Sequence, residues 1–396
     1  PEPDIRTLRK TLGIAPTYYP VDTCAAAFEA RASYFYATYE GGSEVQAERR
    51  KKVIVLGGGP HRSGQDIAYD FCCCHACRAL KDAGVQAIMI NANPGAVSTD
   101  CGVADRLYCE PLTFEDVMHV VALERPDGII VQFGGRTSLD LAAPLLRAGA
   151  PILGASPDAV DRTEDRERFQ ALIRKLDLLQ PASGAANAHK ALQTAGCIAD
   201  AEALADGSDV YVAGIMEHSA QAGVHSGGSP RVLPPHSLPV AVTDAISRQT
   251  VALARELRVV GLMNVRFAIE NGRIAILRVN LHASRAVPFV SKATGVPLPR
   301  LATQVMLGRT LKELDPWGMR RSGWVSVKDA VVPLRRFPGA DLPPDSGMPA
   351  GQVMGIGPTF AEALRKSRIA AGHIPPPNDD IAVRSIQEYY AACACS

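Results

Sequence analysis

Side chains capable of chemistry follow one another in a short stretch, I-A-I-L-R-V-N-L-H-A-S-R, which runs from Ile274 to Arg285. Its apolar residues and its asparagine are typical of a strand that ends above a nucleotide site, where phosphoryl transfer needs a carboxylate to hold magnesium. The charged residue at that point is Arg278, and a guanidinium group cannot ligate a cation. Two interpretations of Arg278 stay open: its charge replaces the metal ion, or its side chain points to solvent.

A second candidate is the glycine loop in V-I-V-L-G-G-G-P-H-R-S-G-Q-D, between a β-branched strand and a helix that starts near Gln65. Backbone N–H groups at a helix start can hold phosphate. Gly57 and Gly59 supply two glycines of a dinucleotide fingerprint, but Arg62 stands at the third position and the next glycine is Gly64. On this loop alone, a tight turn in a structural α/β layer is the simpler interpretation.

The cysteines raise the question of a metal cluster, because several fall in the run C-C-C-H-A-C over residues 72–77. Adjacent side chains on a helix point in different directions and cannot converge on one ion. We therefore predict that these cysteines are buried small apolar side chains, which suits a reduced compartment better than disulfides do. The tail pair, Cys393 and Cys395, is predicted to be inert.

Length and composition limit the class of protein. A chain of 396 residues is expected to form two or three domains. Its formal net charge of +1 provides no field that would attract nucleic acid or an anionic membrane. The start, P-E-P-D-I-R-T-L-R-K, lacks the apolar core of a signal peptide, and no apolar run approaches the ~20 residues that cross a bilayer. We predict a cytoplasmic protein without nucleic-acid or membrane partners.

The elements that must position these residues follow two patterns. Apolar strands at 87–91 and 128–133 alternate with helices after the glycine loop, which predicts a parallel sheet with helices on both faces. A charged amphipathic helix is predicted over 159–178. The second half reads as α+β, and Asn271-Gly272 predicts a hairpin turn. Its predicted strands lie at 210–215, 265–269, 274–279 and 324–327.

Several stretches carry a further signal through their order along the chain. They are V-L-G-G-G-P-H-R-S-G-Q-D-I-A-Y-D-F-C-C-C-H-A, N-A-N-P-G-A-V-S-T-D, Q-F-G-G-R-T-S-L, D-R-T-E-D-R-E-R-F, G-I-M-E-H-S-A-Q-A-G-V-H-S-G, G-L-M-N-V-R-F-A and V-P-F-V-S-K-A-T-G-V-P-L. In this order they resemble the C-terminal synthetase half of the carbamoyl-phosphate synthase large chain. The resemblance implies an α/β protein with a Rossmann-like pre-ATP-grasp domain and a truncated α+β ATP-grasp domain. It also implies the cofactors ATP and magnesium, with which the family's second half phosphorylates carbamate.

The resemblance assigns nucleotide-binding positions residue by residue. Arg166 matches an arginine that contacts the nucleotide. Gly223, Val224, His225 and Ser226 match the stretch that lines the ATP site.

Substrate and metal positions follow in the same way. Arg285 matches an arginine that binds the acid substrate, and His282 stands for the first arginine of the motif N-P-R-A-x-R, so the resemblance makes both of them catalytic candidates. The family's metal ligands are a glutamine, a glutamate and an asparagine. They fall on Arg266, Arg278 and Asn280, and only the asparagine is retained.

The resemblance also implies a missing part. Between Pro181 and Gly214 the family carries most of a lid subdomain, which the alanine-rich segment here is too short to encode. Ile198 stands where the family has a ribose-binding carboxylate. The predicted domains are a helical segment resembling the end of the family's oligomerisation domain (1–44), a pre-ATP-grasp domain (45–150), an ATP-grasp domain without most of its lid (151–316), a C-terminal extension (317–374) and a tail (375–396).

These substitutions make the resemblance one to a catalytically impaired relative, a pseudoenzyme with a scaffold or binding role. The alternative is an active ATP-dependent carbamoyl-phosphate synthase subunit in pyrimidine or arginine biosynthesis. A decayed gene copy or truncated product is a third interpretation. The partners implied are a nucleotide and either synthase subunits or a second copy of the chain.

Overall fold

The computed structural model contains two seven-stranded sheets with helices packed against them. It describes residues 2–22, 24–25, 27, 33–45, 47–59, 67–181, 197–218, 230–270, 272–319, 323–331 and 351–372. Within these ranges, each helix is too short or too polar to span a lipid bilayer.

The N-terminal segment contributes one helix and two strands, α1 (Glu2–Thr11), β1 (Thr17–Pro20) and β2 (Tyr34–Thr38). The prediction of a helical segment over 1–44 is correct for α1 and wrong for both strands. Their aromatic residues favour a pleated surface, and Tyr18 packs edge-on against Tyr108 with ring centroids 5.3 Å apart. β1 is antiparallel to β2, which extends the first sheet.

The first sheet has the strand order β1-β2-β5-β4-β3-β6-β7, and the strands from β2 to β7 run parallel. Its further elements are β3 (Lys52–Leu56), α2 (Ile67–Asp82), β4 (Gln86–Ile90), a 3₁₀ turn (Val97–Thr99), β5 (Arg106–Tyr108), α3 (Phe114–Glu124), β6 (Gly128–Ile130), α4 (Gly135–Asp140), α5 (Ala142–Arg147) and β7 (Ile152–Leu153). Val53 and Val55 pack with α2, whereas Ile54 and Leu56 pack with α3 and α5 on the opposite face. The predicted parallel sheet with helices on both faces is confirmed.

The glycine turn lies at the carboxyl end of β3, as the sequence predicts. A Cβ at Gly57 would lie 2.5 Å from Cγ of Asn91, so the close approach requires glycine. The Oδ1 atom of Asn91 accepts a hydrogen bond from the backbone N–H of Gly59 at 3.1 Å. The rest of the loop, which includes Arg62 and Gly64, lies outside the described residues.

The cysteine run behaves as predicted at three positions. Cys72, Cys73 and Cys77 are buried free thiols within α2, and Cys74 is partly buried. Among the described residues, no three His, Cys, Asp or Glu side chains gather in a metal-binding arrangement. The tail pair of cysteines, Cys393 and Cys395, lies outside the described residues.

The second sheet is antiparallel, with the order β12-β11-β8-β9-β10-β13-β14. Its elements are α6 (Pro157–Glu164), α7 (Arg166–Lys175), β8 (Cys197–Asp206), β9 (Val210–His218), β10 (Arg231–Leu233), α8 (Val240–Glu256), β11 (Val260–Glu270), β12 (Arg273–Asn280), α9 (Val287–Thr294), α10 (Leu298–Met306), α11 (Leu311–Leu314), α12 (Pro316–Met319), β13 (Val325–Val331), β14 (Gly351–Gly357) and α13 (Phe360–Ala370). The segment that the sequence assigned to a C-terminal extension thus supplies two strands of this sheet.

In this half, one local prediction is wrong, one strand was not predicted and one hairpin is confirmed. The helix predicted over 159–178 is broken at Asp165, whose extended backbone ends α6 and whose Oδ1 caps α7 by accepting from the N–H of Arg168. β8 was not predicted, although the strands β11 and β12 pair as the expected hairpin. The turn residue Asn271 lies outside the described residues.

Alternation along the strands separates an apolar face from a polar one. Ala199, Ala201 and Ala203 of β8 pack into a core with α6, α7 and α8, while Asp200 and Glu202 point to the other face. Both sheets share a second core that includes α2 and α10.

A buried ionic network supports the first sheet. Glu124 accepts hydrogen bonds from Lys52 Nζ at 3.0 Å, Arg106 Nη1 at 2.7 Å and the Tyr108 hydroxyl at 2.5 Å. Glu48 pairs with Arg106 at 3.0 Å from an exposed position. A buried ion that loses its partner retains its desolvation cost, whereas an exposed pair is weak.

We predict that Glu124→Gln lowers the free energy of unfolding by about 3 kcal/mol, because it leaves Lys52 and Arg106 without their buried counter-charge. The matched control Glu48→Gln should cost at most about 1 kcal/mol. Urea unfolding followed by circular dichroism checks both values. A loss below 1 kcal/mol for Glu124→Gln would show that the network contributes little to stability.

Candidate functional site

A polar cleft of about 510 Å³ lies over one face of the second sheet. The first sheet's helices contribute Tyr69 from α2 and Arg136 from α4 to its wall. Strands of the second sheet contribute charged and amide side chains to its floor. They include Asp200, Arg231, Asn264, Arg266, Asn280 and Lys328.

Strand register places the floor residues in rows. Arg266 of β11 lies directly opposite Asp200 on β8 and Arg278 on β12. In the next row, Asn264 lies between Glu202 and Asn280. Because opposite residues of neighbouring strands project to the same face, each row presents its side chains to the cleft together.

Asp200 is the centre of the charged floor and is fully buried. Its carboxylate accepts from Arg266 Nε at 2.8 Å and from His218 Nε2 at 2.9 Å, and Arg231 Nη1 lies 3.3 Å away. Burial acts to raise the pKa of Asp200, but Arg266, Arg231 and His218 hold it well below its usual value. Asp200 is therefore ionised at neutral pH and already engaged by cations.

Glu202, two residues along β8, has the opposite character. Its Oε2 atom accepts from Asn264 Nδ2 at 3.0 Å and from Ser284 Oγ at 2.7 Å, while Oε1 is buried without a hydrogen-bond partner among the residues that the structure describes. Burial, reinforced by the charge of Asp200, raises the pKa of Glu202 to about 8 against the effect of these hydrogen bonds. Glu202 is therefore protonated at neutral pH.

Lys328 lies across the floor on β13, directly opposite Arg231 of β10. Its Nζ donates to the backbone carbonyl of Arg285 at 3.0 Å. Burial first, and then Arg231 and Arg285, lower the pKa of Lys328 well below its usual value. The Arg285 side chain lines the cleft and has no hydrogen bond or ion pair with other described residues.

Arg278 lies at the rim of the cleft, and its exposure agrees with the interpretation that its side chain points to solvent, whereas the replacement of a metal ion by its charge stays a prediction. Its side chain is 57% exposed, and its Nη2 atom lies 3.7 Å from Oε1 of Glu164. Arg136 of α4 binds the same carboxylate at 2.7 Å. Glu164 thus links Arg136, which follows a strand of the first sheet, to Arg278 of the second sheet at the rim of the cleft.

The loop after β12 is fixed by the first sheet. Gln132, just after β6, donates from Nε2 to the carbonyl of Leu281 at 2.9 Å, and its own carbonyl accepts from the N–H of Ala283 at 2.8 Å. Between these contacts, His282 is buried and its Nδ1 donates to the Ala283 carbonyl at 2.9 Å. Burial lowers the pKa of His282, so its ring is neutral and its Nε2 atom is an acceptor.

The structure brings together only some of the residues assigned by resemblance. His282, Arg285 and Asn280 line the cleft, as do Arg266 and Arg278. Their chemical roles are not established by this position.

The nucleotide-binding candidates are not part of the described cleft. Arg166 is exposed at the start of α7 and does not line it, and Ile198 on β8 is also absent from its lining. Gly223, Val224, His225 and Ser226 lie outside the described residues.

Sequence reasoning missed the most strongly coupled part of the site. Asp200, Glu202, Arg231 and Lys328 were not singled out, because they lie in strands that were not assigned or were assigned only in part. One signal was available: in I-A-D-A-E-A the carboxylates alternate with small residues at the period of a strand.

With this geometry, the class of protein can be stated. Two family models match in succession: the carbamoyl phosphate synthase preATP-grasp domain over residues 49–162, and the carbamoyl-phosphate synthase L chain ATP binding domain over residues 165–314. Among solved structures, the biotin carboxylase domain of a single-chain bacterial carboxylase has a TM-score of 0.56 at 16% identity, covering 71% of this chain and 74% of that one. A pyruvate carboxylase from Rhizobium etli has a TM-score of 0.56 at 15% identity, covering 71% and 30%. These structures show a shared fold, and the two family models place a pre-ATP-grasp domain before an ATP-binding domain.

Curated relatives define the family. The carbamoyl phosphate synthase large chain of Pseudomonas syringae pv. tomato is 42% identical over 95% of this chain and 40% of its own length. That of Myxococcus xanthus is 44% identical over 94% and 40%. The chain belongs to the carbamoyl phosphate synthase large chain family. It spans about 40% of the length of these relatives.

The raised pKa of Glu202 predicts a pH-dependent stability. The unfolded chain releases this proton near pH 4.3, roughly the value of a free glutamate, whereas the folded chain keeps it to about pH 8. The folded state then binds more protons, so stability falls as pH rises through this window. Glu202→Gln removes the titration and keeps an amide that can hydrogen bond to Asn264 and Ser284.

We therefore expect the native chain to lose up to about 1.4 kcal/mol of unfolding free energy per pH unit relative to Glu202→Gln. Urea unfolding at three pH values between about 5.5 and 7.5, in the middle of this window, measures the slope. Glu270→Gln, which removes an exposed carboxylate at the end of β11 and keeps Glu202, is the control and should retain the slope of the native chain. Parallel pH profiles for the native chain and Glu202→Gln would contradict the assignment.

Proposed function

We propose that this chain is a catalytically impaired relative of the carbamoyl phosphate synthase large chain, which keeps the ATP-grasp scaffold for binding and assembly and does not phosphorylate carbamate with magnesium ATP. The observation that carries the proposal is the pairing of Arg266 with Arg278. These residues lie directly opposite each other on β11 and β12, at two of the three positions that the family resemblance assigns to magnesium ligands.

The donor set at these positions does not fit magnesium. Mg²⁺ requires oxygen ligands in near-octahedral geometry, and guanidinium groups have no lone pair to offer and carry a repelling charge. Asn280 supplies the one side-chain oxygen among the three, and its Oδ1 atom is buried with no hydrogen bond to any other described residue. Arg266 is moreover held by Asp200, so the nearest ionised carboxylate is neutralised by guanidinium groups.

The proposed loss of the lid supports the same conclusion. Residues 182–196 are all that separates Pro181 from the start of β8, and this span is short for a subdomain that covers phosphates. In-line transfer needs the reacting groups aligned and shielded, which can lower a barrier by ~7–11 kcal/mol.

A scaffold role implies partners. We propose a cytoplasmic chain that assembles with synthase subunits or with a second copy of itself. Support comes from its similarity to relatives that are large chains of a synthase.

An active synthase subunit is the alternative, and one observation favours it. Arg285, the position that the resemblance assigns to acid-substrate binding, lines the cleft with a side chain that no other described residue engages. Turnover separates the two proposals.

We predict that ATP binds weakly to the native chain and that a chelator does not weaken it further, because Arg266 and Arg278 repel a divalent ion. Arg266→Gln combined with Arg278→Glu restores the family's ligand set beside Asn280, so ATP affinity should become magnesium-dependent. Isothermal titration calorimetry with EDTA or magnesium chloride measures this. Arg273→Glu, on the exposed start of β12, is the matched control and should leave the binding unchanged.

Turnover should stay absent in the double variant, because point substitutions cannot rebuild a lid. Carbamoyl phosphate formation from added carbamate and magnesium ATP is the assay. Turnover by the native chain would overturn the proposed function, as would tight ATP binding that EDTA abolishes.

A further inference from the structure

The floor of the cleft contains two like-charge pairs on neighbouring strands. Arg266 lies directly opposite Arg278, and Arg231 lies directly opposite Lys328. Like charges at opposite positions destabilise a sheet. This repulsion affects Lys328: burial lowers the pKa of its side chain, and the nearby charges of Arg231 and Arg285 lower that pKa further.

The neighbouring carboxylates do not balance this charge. Glu164 pairs with Arg136 and Arg278 at the rim, and Asp329 lies 3.7 Å from Arg368. Among the described residues that line the cleft, the basic side chains Arg231, Arg266, Arg285 and Lys328 therefore share two carboxylates, Asp200 and Asp329, of which Asp329 also lies near Arg368. Glu202 adds no negative charge at neutral pH.

Donor groups remain for a ligand after Asp200 is satisfied. Arg266 uses Nε and Nη2 for Asp200 and leaves Nη1 without a hydrogen bond to a described residue. Arg285 has its whole guanidinium group available within the described part of the chain. Guanidinium groups bind phosphate oxygens through short, charge-assisted and often bidentate hydrogen bonds.

We propose that the cleft binds a small phosphate polyanion, of the size of pyrophosphate, directly on Arg231, Arg266, Arg285 and Lys328 and without a divalent cation. A multiply charged anion relieves both like-charge pairs at once, which a single charge cannot do. The cationic side chains neutralise the phosphate oxygens, the task that a metal ion performs in other phosphate sites. This inference rests on the proposed function, since it takes the cleft to be unsuited to magnesium.

The test is isothermal titration calorimetry of the full chain with sodium pyrophosphate in EDTA, repeated with excess magnesium chloride. We expect binding in EDTA and weaker binding with magnesium, because the ion competes with the protein for pyrophosphate. Affinity should also fall as salt concentration rises. ATP and adenosine test which part of a nucleotide the cleft recognises: ATP should bind through its phosphates, and adenosine, which lacks them, should not bind.

Arg285→Gln is the principal variant, because within the described part of the chain its side chain has no hydrogen bond or ion pair whose loss would disturb the fold. Affinity for pyrophosphate should fall roughly 10–100-fold, the loss expected for hydrogen bonds to a charged group. Arg285→Lys should recover part of it. Arg273→Gln, which removes the same charge outside the cleft, should change affinity less than about twofold, and circular dichroism verifies that each variant is folded.

No heat from pyrophosphate in EDTA, binding only with magnesium, or equal loss in Arg285→Gln and Arg273→Gln would each overturn the inference. The two proposals fail separately. Metal-free pyrophosphate binding by a chain that also makes carbamoyl phosphate would refute the proposed function and leave this inference standing. A chain that neither binds pyrophosphate without metal nor makes carbamoyl phosphate would refute this inference and leave the proposed function standing.

Discussion

The buried carboxylate of Asp200 is the constraint on which the candidate site depends. Arg266, Arg231 and His218 come from three different strands and converge on it within 3.3 Å. Without that negative charge, two guanidinium groups would be buried side by side, which costs several kcal/mol per uncompensated ion. Asp200 therefore fixes where the floor's cations can lie, and the remaining cationic side chains are arranged around a centre that is already partly neutralised.

The scaffold holds this centre through two separate devices. Alternation along β8 and β11 gives one face to an alanine-rich and aliphatic core and the other to charged and amide side chains. Gln132 then connects the first sheet to the loop that carries His282, using both its side chain and its backbone. The position of that loop thus depends on the packing of one domain against the other.

The sequence predicted the parts of this architecture whose signals are local. Buried β-branched strands next to Gly57 and the paired strands around Gly272 have patterns that packing reinforces. β8 was missed because alanine has low strand propensity and only its pairing with β9 and β11 makes it a strand. The break at Asp165 was missed because a single side-chain cap interrupts a helical pattern that is otherwise continuous. The coupling of Asp200 to Arg231 could not be predicted, since β10 enters the sheet through long-range contacts.

Asp200 also determines what kind of ligand the cleft can accept. A cation would have to displace guanidinium groups that Asp200 already holds, and it would meet Arg278 and Arg285 in doing so. An anion need not disturb Asp200, because the guanidinium group of Arg285 and Nη1 of Arg266 make no hydrogen bond to Asp200 and can donate to the anion. An anion would also favour the charged form of Lys328, whose proton is otherwise opposed by burial and by its cationic neighbours. The same buried carboxylate that allows the arginines to gather thus biases the cleft against metal and towards negative charge.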